Sequence, residues 1–145
     1  MEFAVPAWSP WSVADKEVLE RVQERAVKMI SGLKGTTYEE RLAELGMPSL
    51  EMRRTHYDLV QVYKIINRKD NVNPSTWFEL VGTEPARVTR HTQDPDNIKK
   101  QQPKTDLRKH FFSNRVTDRW NALPSEIKRA KSVAIFKSYV EKYAK

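Results

Sequence analysis

Between positions 59 and 66 the chain reads LVQVYKII, and Leu59, Val60, Val62, Tyr63, Ile65 and Ile66 cover nearly the whole circumference of a helix. A helix that is apolar almost all round has no broad face to give to water and must be surrounded by other elements. That requirement predicts a helical assembly built around one central member, opened by Pro48-Ser49 and running to about Asn67. The flanking segments repeat the 3.6-residue period. Val18, Leu19, Val22, Ala26, Met29, Ile30 and Leu33 fall on one face of a helix from about Val13 to Leu33, stopped by Gly32 and Gly35. Thr37 and Glu40 form a capping box for a short helix through Leu45, ended by Gly46.

Beyond Asn67 the period is lost. Residues 77–81, WFELV, read as a single turn or a short strand. Residues 82–104 gather Pro85, Pro95 and Pro103 among Gln, Thr and Asp, and read as an exposed loop. A fourth helix is expected from about Asp106 to Asn121, stopped at Leu123-Pro124. A fifth is capped by Ser132 and turns Val133, Phe136, Val140 and Tyr143 inward. Ahead of the first helix, Pro6 and Pro10 favour an extended segment over residues 3–11, with Phe3, Val5, Trp8 and Trp11 packing on the elements after it. The expected fold is all-α, a bundle of about five helices with a long exposed loop before a basic C-terminal helical pair. Its regions are 1–81, a linker at 82–104, and 105–145.

Composition narrows the chemistry. The 145 residues contain no cysteine, which excludes disulfides, thiolate metal sites and a cysteine nucleophile together. His56, His91 and His110 lie far apart with no carboxylate at ligand spacing, so no metal site is expected. Asp94-Pro95-Asp96 reads as a turn rather than a ligand pair. No nucleophile elbow, Gly-rich phosphate loop or zinc-protease motif occurs. No apolar run reaches the roughly 18 residues needed to span a bilayer, and the N-terminus lacks the basic region of a signal peptide. The aromatics Tyr57, Tyr63, Trp77, Phe112 and Trp120 sit at helical spacing and are expected in the core.

Charge is distributed unevenly. Residues 98–145 carry 13 Lys and Arg against four Asp and Glu, a net of +9, while residues 1–97 carry 13 against 15, a net of −2. A basic third of this kind points to nucleic acid or another anionic surface. On the expected fourth helix, Arg108, Arg115 and Arg119 fall within about 40° of one another and span roughly 16 Å. That spacing suits successive backbone phosphates. The same pattern also suits a solvated edge whose arginine stems cover the apolar stripe. Lys99, Lys100 and Lys104 on the preceding loop widen the basic patch. Lys109 falls on the apolar side of the wheel and fits there only by reaching out past the helix start.

Three collinear blocks and a closing one resemble a known family: EFAVPAWSP at 2–10, YEERLAELGMPSLE at 38–51, TDLRKHFFSNRVTDRWNALP at 105–124 and SVAIFKSYV at 132–140. They are similar to the thumb and C-terminal tail of reverse transcriptases from non-LTR (LINE-type, jockey-like) retrotransposons. Thr89-Arg90-His91 resembles a further stretch of that family from which a glycine is missing. The resemblance implies a helical thumb that holds template-primer duplex, RNA or DNA, through its backbone and docks on the palm and fingers of a parent polymerase. The parent would be an RNA-directed DNA polymerase needing Mg²⁺. The palm, its metal-binding aspartates and the endonuclease are not in this sequence, so the chain is expected to be a remnant or fragment with no cofactor and no catalysis of its own. It is further expected to be an intracellular monomer, cytoplasmic or nuclear, without membrane attachment. The alternative is a helical protein-interaction module, or an inert remnant, with no nucleic-acid role.

Overall fold

The computed structural model describes residues 3–83 and 94–143. Among them the fold is all-α, with no strand and one isolated antiparallel bridge between Leu80 and Ile98. The chain divides into two compact units, Met1–Thr55 and His56–Lys145. The division falls inside a helix rather than at the expected linker 82–104.

The first unit begins with α1, Val5–Trp8, one helical turn where an extended segment was expected. Pro6 lies in its first turn, where a missing N–H costs nothing and the fixed φ favours helix. Only Val5 of the four expected contacts is buried; Phe3, Trp8 and Trp11 remain exposed. Next comes α2, Val13–Lys28, five residues shorter than its period suggested. The face it buries also differs from the expected one, since Gln23 and Val27 point inward while Val18, Val22, Met29 and Ile30 are exposed.

Polar groups explain that orientation. The Glu20 carboxylate accepts hydrogen bonds from the Tyr38 hydroxyl (2.6 Å) and the Leu50 backbone N–H (3.0 Å). Gln23 donates to the Pro48 carbonyl at 3.1 Å, and Lys16 pairs with Glu51 at 2.7 Å. Burial, reinforced by the Glu20 carboxylate, pushes the Tyr38 hydroxyl well above the usual tyrosine range. The seam of this unit is therefore largely polar.

Helix α3, Tyr38–Glu44, starts with the capping box the sequence announces: Glu40 N–H donates to Thr37 Oγ1 (3.3 Å), and Thr37 N–H donates to Glu40 Oε2 (2.7 Å). At its end Gly46 adopts a φ of 61°, Met47 N–H reaches the Leu42 carbonyl and Gly46 N–H the Ala43 carbonyl. These two bonds satisfy carbonyls the helix would otherwise orphan. Helix α4, Leu50–Ile66, belongs to both units and carries the LVQVYKII segment.

The second unit is where that segment is surrounded. Leu59, Val60, Val62, Tyr63 and Ile65 share one core with Phe78, Ile98, Phe112, Val116, Trp120, Leu123, Ile127, Phe136 and Val140. Tyr63 stacks on Phe136 at 4.4 Å and donates its hydroxyl proton to the Ala130 carbonyl at 2.6 Å. Tyr57, expected in the core, is exposed, and Trp77 is half-buried between Phe111 and Phe112.

A short helix, α5 (Pro74–Trp77), is capped by Asn73 and followed by a 3₁₀ turn at Val81–Thr83. The expected helix over 106–121 is three pieces: α6 (Asp106–Lys109), α7 (Phe112–Arg115) and α8 (Thr117–Asn121). Phe111 is extended, with φ −63° and ψ 149°. The Asn114 side chain donates to the Arg108 carbonyl at 2.6 Å, joining the Phe111 N–H that reaches the same carbonyl at 3.3 Å. Helix α9, Ser125–Lys128, was not expected; α10, Val133–Tyr143, was.

Residues 94–99, expected to be exposed loop, are tied down instead. Ile98 is buried, Val81 N–H donates to the Asn97 carbonyl, and Lys99 N–H donates to the Glu79 carbonyl at 2.7 Å. Asn121 both donates to and accepts from the Ile98 backbone. Residues 84–93 of that loop, Thr89-Arg90-His91 among them, lie outside the described residues.

Candidate nucleic-acid interface

Breaking the 106–121 helix removes the arginine ladder that a continuous wheel would produce. Arg115 lies on α7, and its guanidinium grips Asp58 of α4 with two parallel bonds of 3.0 Å, from Nε to Oδ2 and from Nη2 to Oδ1. The carboxylate is 3% exposed and the Arg115 side chain 16%. Arg115 also lies over the Phe112 ring at 5.7 Å and donates to the His110 carbonyl at 3.4 Å. A bidentate pair at that depth is a packing element, and pulling the guanidinium out would remove two charge-assisted bonds from a buried carboxylate. Arg115 therefore does not stand beside Arg108 and Arg119 as an outward-facing cation.

The other expected cations lie at the surface. Lys104 and Arg119 are exposed. Arg108 is exposed as well, its guanidinium 5.4 Å from the centroid of Phe111. Lys99 pairs with Glu79 at 2.8 Å, and Lys100 pairs with Asp118. Both ion pairs are well solvated, and such pairs typically contribute only about 0–1 kcal/mol. A phosphate can displace them at little cost.

Lys109 was missed as a surface cation. The break after α6 moves it off the apolar side and leaves it exposed. It lines an open cleft of about 450 Å³ with Lys100, Gln101, Gln102, Asn114 and Asp118. Two ammonium groups among three amide side chains are suited to phosphate oxygens and sugar hydroxyls, without the fixed donor pattern that reading a base edge requires. The sequence signal was present in Ser113-Asn114, residues that compete with helix by bonding nearby backbone.

A second cluster binds residues 94–98 to α8 and α9. Asp94 accepts from its own turn at Asp96 N–H (3.1 Å), from Ser125 Oγ (2.8 Å) and from Lys128 Nζ (2.9 Å). Lys128, 2% exposed at its side chain, also donates to Asn97 Oδ1 at 2.6 Å. Arg129 pairs with Asp96, whose carbonyl accepts from Trp120 Nε1 at 2.9 Å. Burial alone would raise the Asp94 carboxyl, but the bonds from Lys128, Ser125 and the Asp96 backbone outweigh it and hold the group below the usual range. Asp94-Pro95-Asp96 is thus a turn, its carboxylates held by cations. Lys128 and Arg129 contribute to the formal +9, yet both are engaged with acids.

Among the described residues, no group of three His, Asp or Glu side chains is placed to hold a metal ion. The Mg²⁺ implied for a parent polymerase has no fitting ligand set there. No helix among the described residues is long and apolar enough to cross a membrane. No family model matches the sequence, and no curated protein or solved structure matches it.

Proposed function

We propose that this chain is the thumb and C-terminal part of a non-LTR retrotransposon reverse transcriptase, present as a remnant or fragment, and that it holds a nucleic-acid backbone without reading sequence. The identification rests on the four collinear sequence blocks. The mechanism rests on one observation: the chain's excess positive charge is confined to residues 98–145, where Lys100 and Lys109 line one open cleft. Lys104, Arg108 and Arg119 supply further exposed cations, and each phosphate they neutralise releases a condensed counterion. The reading assigns the chain no catalysis, and its natural partner would be the palm of the parent polymerase.

Affinity for RNA–DNA duplex should be weak, with Kd about 10⁻⁴ to 10⁻⁶ M at physiological salt. Log affinity should fall linearly with log salt. Replacing Lys100 and Lys109 together by Gln should lower that slope by about two. An unchanged slope moves the interface elsewhere, and no binding at low salt removes the nucleic-acid reading. The alternative, a helical interaction module, is favoured by the exposed apolar residues of α2.

A further inference from the structure

Helix α2 turns Glu20, Gln23 and Val27 toward its own unit and leaves a second, regular stripe outside. Val18 is 54% exposed, Val22 45% and Met29 80%. Asp15 and Arg25, also exposed, complete the series 15, 18, 22, 25, 29. At about 100° per residue these five positions lie within roughly 80° of one another. Their alternating steps of three and four residues are those of a coiled-coil seam.

The seam is self-complementary in one orientation. Two copies of α2 set antiparallel about residue 20 place Val18 opposite Val22 and Asp15 opposite Arg25, each layer occurring twice. Trp11, exposed just ahead of the helix, comes level with Met29. Every layer then joins positions related by the same two-fold, as an isologous interface requires. The parallel arrangement would instead set Asp15 against Asp15 and Arg25 against Arg25. We propose that the outer face of α2 is a homodimer interface in which a second copy of this chain docks antiparallel, held by the Val18–Val22 layers and oriented by two Asp15–Arg25 pairs. This replaces the monomer expected from sequence. It uses no residue of the nucleic-acid surface and stands independently of that reading.

A seam of one 16-residue helix per copy is short, so the association belongs to the weak, concentration-dependent class. Sedimentation equilibrium of the full chain from micromolar to millimolar concentration should show the mass rising from 17.0 kDa toward twice that value. D15R and R25D each create like-charge layers and should raise the dissociation constant by about tenfold or more. The double variant D15R/R25D should restore association, because it exchanges the two charges across the same layers. Far-UV circular dichroism on each variant would establish that these surface changes leave the helices intact. A mass fixed at the monomer across the whole range overturns the proposal and leaves the stripe to a different chain. Association that ignores the single reversals, or that the double reversal fails to recover, places the contact on another surface and overturns it equally.

Discussion

At the scale of single residues, the same chemical group serves two purposes in this chain, and depth decides which. Arg115 and Arg119 are four positions apart and look equivalent on a helical wheel. The first is bonded twice to a buried carboxylate and the second faces water. Arg115→Gln should therefore destabilise the fold by about 3–5 kcal/mol, because it takes a bidentate cationic partner from the buried Asp58 carboxylate. Arg119→Gln should move stability by less than about 0.5 kcal/mol. Urea denaturation of the two variants would compare them, and equal losses would show that the Arg115–Asp58 pair contributes little. Nothing local announces that pair: 57 positions separate its members, and only the packed core brings them together.

Two titrating groups give the second unit an acid limit. Burial holds the His56 imidazole below its usual range, only partly offset by Glu141. The folded state thus keeps it neutral where the unfolded chain would already bind a proton. Stability should be fully present above about pH 6.5, the ordinary histidine value, and fall as pH drops toward the lowered one. Asp94, also held low, adds a loss that starts near the ordinary carboxylate value of about 4 and continues through its folded value. Melting temperatures between pH 8 and pH 3 should show both limbs. His56→Gln should flatten the first, and Asp94→Asn the second.

Among elements, legibility followed the strength of the local signal. The α4 segment was readable because six apolar side chains around one helix admit a single solution. The α3 boundaries were readable because the capping box and Gly46 act through adjacent backbone. The face of α2 was not. Its apolar period is real, but Glu20, Gln23 and Lys16 find partners on α3, α4 and the connection between them, and those bonds turned the helix over. The strap at 94–99 was obscured by Pro95 and its polar residues. Ile98 alone marked it, and one apolar residue sets no period.

That strap changes where a protease should act. Trypsin should spare the Lys99–Lys100 bond in the folded protein, since Lys99 is bonded to Glu79 through backbone and side chain and Ile98 is buried beside it. Ile98→Ala should expose the bond and make it an early cut, read by the masses of the first fragments. Rapid cutting there in the parent would mean that the strap opens by itself.

For the molecule as a whole, apolar burial is divided as unequally as charge. The contiguous core lies entirely between Leu59 and Val140. The buried hydrophobics of the first unit are Val5, Val27, Leu42 and Leu50. A polypeptide of residues 56–145 should therefore melt cooperatively with helical circular dichroism. Residues 1–55 alone should not, being both short and poor in apolar burial. A cooperative melt from the smaller piece would show that its polar seam suffices.

The polar seam joining α2 to α3 and the start of α4 carries a thermal consequence. Exposing apolar surface on unfolding raises heat capacity, whereas exposing polar surface lowers it. The first unit, joined by Glu20, Gln23 and Lys16, should contribute a small share of the heat-capacity change, and the second unit nearly all of it. Chilling weakens hydrophobic burial most, so near freezing the loss of stability should fall on the second unit, the larger and better packed of the two.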